Sequence, residues 1–490
     1  MKIPIKVKCE SIYRYSPLQC YVALRERFGS DNCYLFESLS GPAFDVNNAF
    51  VGFDKIAHIS IKKDKLQISG SGVIKKALRK FAMKSKHLTP NGHSYLIEPK
   101  HTWDVLKAVH KLFALQEKTY IGFLTFLSYD AAWHTENLPH IIENNFLELP
   151  DISLVLYRGL ITFDLANSTV MFEQAIIDGI TPIETNTLIK AFERTKEPLV
   201  NNDIIQPIGV IDSCTKEQFI SAAHSCLEHI AAGDIYQIQI GHELRISTKA
   251  DPFDIYLRLR KINPSPYMYF TPFNDTYVIG ASPELFVKKE NTTLTMRPIA
   301  GTARRTGEVA VDQNTIATLI SDEKERAEHI MLIDLCRNDL GRLCKAGTLN
   351  VNEQMIVESY SHVFHLVSNV LAELDDGLDI FDVIAATFPA GTMTGTPKIR
   401  AMELIESFES TRRNLYAGAL GVISLNGDAI TALCIRTALY HNGEYLIRAS
   451  AGIVADSRPE NEWQETLNKL AASYIAITGT DFNKSYRDKK

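Results

Sequence analysis

The sequence predicts an α+β protein of two lobes, with largely antiparallel packed β-sheets forming the core and helices outside. Three observations predict it. At 490 residues the chain exceeds the size at which one apolar core keeps growing. From Ile235 onward, short runs rich in β-branched and aromatic residues follow one another, separated by turn residues. Strands come in runs ahead of helices instead of alternating with them, an order that suits α+β and not a doubly wound sheet.

Each element has its own signal. In the first part, Tyr34-Leu35-Phe36, Ile121 to Leu124 and Ser153 to Tyr157 read as strands, and 101–116 and 183–195 as helices. The stretch from Glu197 to Ser213 mixes proline, asparagine and aspartate, as a linker or crossover strand does. We place the boundary there, giving an N-terminal lobe over 1–212, a second domain over 213–482 and a polar tail over 483–490. No repeat of 20 to 50 residues is evident. Thr215-Lys216-Glu217-Gln218 is a capping box opening a helix that runs to about Ala232 and closes at Gly233. Strands are expected at Ile235 to Ile240, Tyr267 to Phe270, Tyr277 to Ile279, Leu285 to Lys288 and Thr293 to Pro298. Helices follow near 322–337 and 379–387, then one opened by Thr396-Pro397 with proline in its first turn. Ala417 to Ser424, Ala429 to Leu439 and Tyr445 to Ala451 read as strands. A terminal helix is opened by Ser457-Arg458-Pro459-Glu460, read as a second capping box.

Composition narrows the function. A hydrophobic share of 45%, a charged share of 22% and a net charge of −6 suit a globular protein with a small substrate and argue against nucleic acid. No apolar run reaches the length of a membrane span, and the N-terminus has no signal core, so a cytoplasmic protein is expected. The eight cysteines show no zinc-like spacing and read as reduced and mostly buried.

The chemistry concentrates in the last third. Glu325 and Glu328 lie three apart on one helix, and Glu462 and Glu465 three apart on another, so each pair shares a helix face. Alone, such a pair is more often a solvated surface. Two pairs facing one cleft would offer hard oxygen ligands of the kind Mg²⁺ takes, with positions left for an anionic substrate. Lys469, one turn beyond Glu465, either pairs with it or neutralises excess carboxylate charge. Ala449-Ser450-Ala451-Gly452 and Gly301-Thr302 leave main-chain N–H groups unhindered, a device that can receive a carboxylate.

Eight ordered strings then carry a family resemblance: SPELF (282–286), RPIAGTARR (297–305), DEKERAEHIMLIDLCRNDLGR (322–342), SHVFHLVS (361–368), FPAGTMTGTPKIRAMELIE (388–406), YAGALG (416–421), CIRTAL (434–439) and AGIVADSRPENEWQET (451–466). Across roughly 215–480 the chain resembles the chorismate-utilising enzymes, and among them most of all the anthranilate synthase large subunits. The resemblance implies their two-lobed fold. It implies that Glu328 and Glu465 hold Mg²⁺ on the ring carboxylate of chorismate, with Glu325 and Glu462 supporting, and that the ion acts as a Lewis acid for addition at C2. Glu284 would be the general acid protonating the departing C4 hydroxyl, which requires a raised pKa. Arg436 and Tyr416 would hold the enolpyruvyl carboxylate, and Gly301, Thr302, Ser450, Ala451, Gly452 and Lys469 would complete the anion cradle. His365 would serve the second step, loss of a ring proton and of pyruvate. His362, one turn earlier if the segment is helical, is a decoy.

Two positions separate family members. Gln237 stands where water-adding relatives carry lysine, and an amide is no general base near neutrality. Ala300 stands where aminodeoxychorismate synthases often carry a nucleophilic lysine. Amination at C2 by ammonia followed by pyruvate loss is the implied reaction, the first step of tryptophan biosynthesis. No glutaminase module is visible, so the resemblance implies a separate glutamine amidotransferase small subunit and a hetero-oligomer, such as a heterotetramer. Leu35-Phe36-Glu37-Ser38 and Asn263 to Met268 resemble the paired segments that bind tryptophan as feedback inhibitor, naming Glu37, Ser38, Pro266, Tyr267 and Met268. Phe36, Ala303, Arg304 and Ser450 depart from the family pattern. Ser128-Tyr129-Asp130 resembles a further family string, although Phe123 to Leu127 lacks its glycines. An aminodeoxychorismate synthase component I or another chorismate aminase is the alternative, and a non-catalytic regulatory subunit a remote one.

Overall fold

The computed structural model describes residues 2–13, 15–201, 205–361, 363–480 and 482. The 483–490 tail and His362 lie outside the described residues. A single antiparallel network can be followed strand by strand. It runs from Gly209–Asp212 through Gln237–Ser247, Glu444–Ile453, Thr437–His441 and Thr276–Ser282 to Tyr267–Phe273. There it crosses into the first part of the chain, through Cys33–Glu37, Asn48–Lys62, Ile152–Asp164 and Gly122–Leu127. It returns through Ala419–Ser424, Ala429–Leu433, Leu285–Glu290 and Thr293–Met296 to Val363–Glu373, which is flanked by Ile299–Arg304 and Asn350–Ser359. Two large apolar cores lie against this network, each drawing on residues from both sides of position 212. The architecture is mixed: a large antiparallel sheet system with helices packed on it.

Local chemistry explains most elements. The Thr215–Gln218 capping box is formed reciprocally, and the helix Lys216–Ala231 follows it. The strand Gln237–Ser247 alternates as half-buried strands must, Ile238, Ile240, Leu244 and Ile246 entering one core while Gln237, Gln239 and Gly241 face the other way. The helix Pro252–Ile262 was not anticipated, although Asp251 caps it and Pro252 occupies its first turn, both readable start signals.

Three expectations are corrected. The predicted strand over 429–439 is two, Ala429–Leu433 and Thr437–His441. The chain turns at Arg436, whose φ of 51° is left-handed, so that the halves pair with different neighbours. Ser457 does not cap the terminal helix Pro459–Thr478: Arg458 is its N-cap and makes no side-chain cap bond. Ser457 is one residue too early, and its hydroxyl closes the preceding turn, accepting from Val454 N at 3.1 Å. Pro397 is the extended N-cap of Lys398–Phe408, not a first-turn residue. The segment that carries His365, left conditional in the sequence, is a strand. Among the described residues no helix is long and apolar enough to cross a membrane.

Candidate active site

The helices Glu323–Gly341 and Pro459–Thr478 bring the four glutamates into one electrostatic cluster. Asp322 caps the first helix by accepting from the N–H groups of Lys324 and Glu325, which fixes the turn that presents Glu325 and Glu328. Burial, then Asp322 and Glu465, push the Glu325 carboxyl up. Burial and the charges of Glu325, Glu462 and Glu465 push Glu328 up to about 7. Glu462 is raised by burial and by Glu465. Glu465 goes the other way: burial opposes ionisation, but Lys469 and a hydrogen bond with Glu462 outweigh it. Like charges in a half-buried space repel unless a cation joins them, and these are hard oxygen donors. The donor chemistry therefore suits a divalent ion, while no three of these carboxylates bring their oxygens within 4.8 Å of one another. Lysines already stand beside it, Lys324 at 3.7 Å from Glu328 and Lys469 at 2.6 Å from Glu465. Lys469 also donates to Ser450 O at 2.9 Å.

A row of side chains faces this cluster. His365 lies in the central strand Val363–Glu373, opposite Thr302 on one neighbour and Glu358 on the other. Directly opposed residues project to the same face, so the three line up. His365 Nδ1 sits 3.1 Å from Thr302 Oγ1 and 3.2 Å from Gly301 O. A carbonyl can only accept, so Nδ1 carries the proton and Nε2 the lone pair. Burial holds the imidazole down to about 4, with Arg436 and Lys469 acting in the same direction. Gly301, at φ 67°, marks a bulge in its strand. A Cβ there would stand 3.2 Å from Glu325 Oε2, so the glycine permits the carboxylate helix to approach.

Glu284 follows the strand Thr276–Ser282 and is buried. Desolvation drives its carboxyl up to about 8, against a 3.1 Å hydrogen bond from Thr392 Oγ1 and the charge of Lys469. Arg436 is buried enough that desolvation lowers its pKa, with Tyr416 and Glu465 opposing. Its guanidinium makes no side-chain hydrogen bond or ion pair among the described residues. Tyr416 is buried beside Arg413 and Arg448. Three buried polar atoms lack partners nearby: Gln237 Oε1, Thr396 Oγ1 and Ser450 Oγ. Gln237 and Thr396 are opposite in register, and the Gln237 and Gln239 amides both close over Gly452. Ala451 turns its methyl into a core, so no side-chain contact joins it to the others.

The remaining predicted residues lie apart. Glu37, Ser38, Pro266, Tyr267 and Met268 all line one cavity of about 330 Å³, which Phe36, Phe44, Lys288 and Lys289 also border. Glu37 is occupied: its carboxylate takes two hydrogen bonds from Arg260, at 2.8 and 2.9 Å, and one from Tyr256 at 2.6 Å. Ser38 donates to Asn48 O.

The family model described as chorismate binding enzyme matches residues 31–474. The chain belongs to the chorismate-binding enzymes. A Streptomyces globisporus protein named 2-amino-4-deoxychorismate synthase is 45% identical over 488 residues, covering 98% of each chain. The anthranilate synthase component 1 of Aquifex aeolicus (strain VF5) is 49% identical over 263 residues, 54% of this chain and 53% of that one. Among solved structures, anthranilate synthase component I from Streptococcus pneumoniae TIGR4 superposes with a TM-score of 0.72 at 28% identity, covering 87% and 92% of the two chains.

In this chorismate-binding enzyme, the sequence did not single out Thr392, Tyr360, Glu358 or Arg297. Thr392 and Arg297 sit inside quoted strings, FPAGTMTGTP and RPIAGTARR, but nothing in a linear string says that a threonine will meet Glu284 108 residues away.

Proposed function

We propose that this chain aminates chorismate at C2 with ammonia in a magnesium-dependent reaction and then eliminates pyruvate to give anthranilate. The observation that supports the reading best is a pair of opposite proton states in two buried groups that both feel the charge of Lys469. Glu284 keeps its proton at neutrality, while His365 is without a second one. Glu284 would donate its proton to the C4 hydroxyl, which leaves as water while the ring double bonds shift and nitrogen bonds to C2. Arg436 would fork onto the enolpyruvyl carboxylate, with Tyr416 beside it. His365 Nε2 would then take the C2 proton as the C3–O bond breaks, the released enolpyruvate taking up a proton to become pyruvate. Glu328 and Glu465, supported by Glu325 and Glu462, would hold Mg²⁺, which draws charge toward the ring carboxylate. Thr302, Gly301, Ser450, the main chain at Ala451 and Gly452, and Lys469 would surround the substrate anion.

Gln237 and Ala300 favour ammonia over water or an enzyme amine as the nucleophile. A glutamine amidotransferase small subunit would supply the ammonia, and tryptophan would bind the cavity at Glu37, Ser38 and Pro266 to Met268. A second reading has a specific observation in its favour. The relative aligned over 98% of both chains is named for the aminated, non-aromatic product. On that reading the reaction stops before pyruvate leaves. Both readings share the amination.

The test is product analysis with purified protein, chorismate, Mg²⁺ and concentrated ammonium, without glutamine. Fluorescent anthranilate with equimolar pyruvate is expected. An aminated non-aromatic product would establish the second reading, and isochorismate or 4-aminodeoxychorismate would overturn both.

A further inference from the structure

Arg297 is among the most deeply enclosed charges in the molecule, its side chain 1% exposed. Its fork is divided among three elements. One Nη pairs with Asp45, in the segment after Cys33–Glu37. The other donates to Glu358 Oε1 at 2.5 Å, and Nε donates to Asn369 Oδ1 at 2.9 Å. Asp45 also accepts from Tyr267 at 2.7 Å, and the Phe44 ring lies 4.5 Å from the guanidinium. Phe44, Asp45 and Tyr267 are walls of the 330 Å³ cavity. At the other end, Glu358 stands opposite His365 in register and accepts from the Tyr360 hydroxyl at 3.4 Å. The Tyr360 ring meets the imidazole edge-on at 5.0 Å.

Two carboxylates on one guanidinium are a costly arrangement to bury, and a buried cluster is weak grounds for stability by itself. Its geometry does something more specific. His365 is fixed at Nδ1 by Thr302 and Gly301, but those contacts leave its ring plane free to tilt about them. Tyr360 supplies the lateral wall, and Glu358 and Arg297 hold Tyr360. We propose that Arg297, Glu358 and Tyr360 are positioning residues that set the tilt of His365, and that Asp45 ties the cavity wall to the same guanidinium. The inference rests on the reading of His365 as the base of the second step. Displacement of that ring slows aromatisation and leaves amination, which Glu284 serves, largely intact.

The test uses the full chain with E358Q, Y360F and D45N. E358Q keeps shape and a hydrogen-bond acceptor while removing the charge, and Y360F keeps the ring but loses its tether. Two readouts are taken beside the melting temperature. The first is the ratio of aromatic to aminated non-aromatic product. It is expected to fall about tenfold in E358Q, within the range that a sub-ångström misplacement causes, and less in Y360F and D45N, in that order. Chorismate consumption should change less than about twofold, since the groups that serve amination are untouched. The second is the rate at which diethyl pyrocarbonate modifies His365, followed by peptide mass spectrometry, which does not depend on the reaction catalysed. A change of about threefold or more is expected in E358Q. Unchanged labelling in both E358Q and Y360F overturns the proposal, as does loss of both steps in proportion to lost thermal stability. Should the unaltered chain release no aromatic product, the reading of His365 fails separately, and labelling alone decides the positioning role.

Discussion

Arg413 and Arg436 both feel Tyr416, the first buried and the second half-buried, and they are treated in opposite ways. Arg413 is fully spent: Nε and Nη2 donate to Glu409, Nη1 to Met393 O, and Nη2 again to Gln239 O. Glu409 in turn accepts from Arg448 and from Gly241 N. Burial would raise the Glu409 carboxyl, yet Arg413 and Arg448 hold it below its ordinary range. This network pins the turn that carries Thr392, the strand that carries Gln237 and Gln239, and the ring of Tyr416. Arg436 has no such partner. A guanidinium half withdrawn from water without an acceptor carries a standing cost, tolerable where a ligand supplies the missing carboxylate. Compensated charge builds this region, and the uncompensated charge is the one that the proposed function gives to the substrate carboxylate.

Paired substitutions would break or uphold that contrast. Arg413→Met leaves Glu409 buried with one guanidinium fewer, and unfolding in denaturant should show about 3–5 kcal/mol of lost stability. Arg436→Met should leave stability unchanged or raised, and lower kcat/KM for chorismate by about 10²- to 10³-fold, the range for losing a bidentate carboxylate contact. Equal losses of stability in the two variants would erase the distinction between builder and binder.

Glu284 sharpens the comparison, because it too is buried without a cation against it. In the proposed role of general acid it would act only while protonated, so turnover should decline as pH rises through about 8. His365, with its pKa near 4, adds no limb between pH 5 and 8. Stability has a definite sign. Folded Glu284 keeps its proton up to about pH 8, while an unfolded glutamate releases it near 4.5, so its contribution is whole below 4.5 and is lost across that interval. Glu284→Gln removes this slope. Relative to the unaltered protein, the variant should gain thermal stability progressively from pH 5 to 8, by at most about 5 kcal/mol. Its turnover should fall by about 10²- to 10⁴-fold. A stability difference independent of pH would mean that Glu284 is ionised in the fold.

How much of this was legible follows from the range of each interaction. Local signals read well: the Thr215 capping box, the β-branched runs from 267 to 296, and the carboxylate pairs three apart, since each is set within one turn or one strand. The same logic misfired at Ser457, where a capping-box string preceded a helix that Pro459 starts one residue later. It failed at Pro252–Ile262, where the Asp-Pro start was present but unread, and at Val309–Ser321, where Leu319 alone is buried and no apolar stripe announces a helix. The family strings named Glu284, His365 and Arg436. They did not show that Arg436 lacks a partner, that Glu409 collects two arginines, or that Arg297 spans from Asp45 to Glu358. Apart from Arg413 and Glu409, four residues apart, those pairings span tens to hundreds of residues, and only the folded chain fixes them.

The smallest expected effect concerns the cavity, where the contrast divides neighbouring residues. Glu37 belongs with Arg413: its charge is met by Arg260 and Tyr256, so Glu37→Gln should cost about 1–3 kcal/mol of stability, as lost charge-assisted hydrogen bonds do. Ser38 has one main-chain contact and borders the open volume. If tryptophan binds there, its presence at ten times Kd should stabilise the fold by about 1.4 kcal/mol, readable as a small rise in melting temperature. Ser38→Phe should fill the space and abolish that rise without lowering stability in its absence. A tryptophan shift that survives Ser38→Phe but vanishes in Glu37→Gln would mean that the ligand displaces Arg260 from Glu37, and that a fully paired charge can still be a binding one.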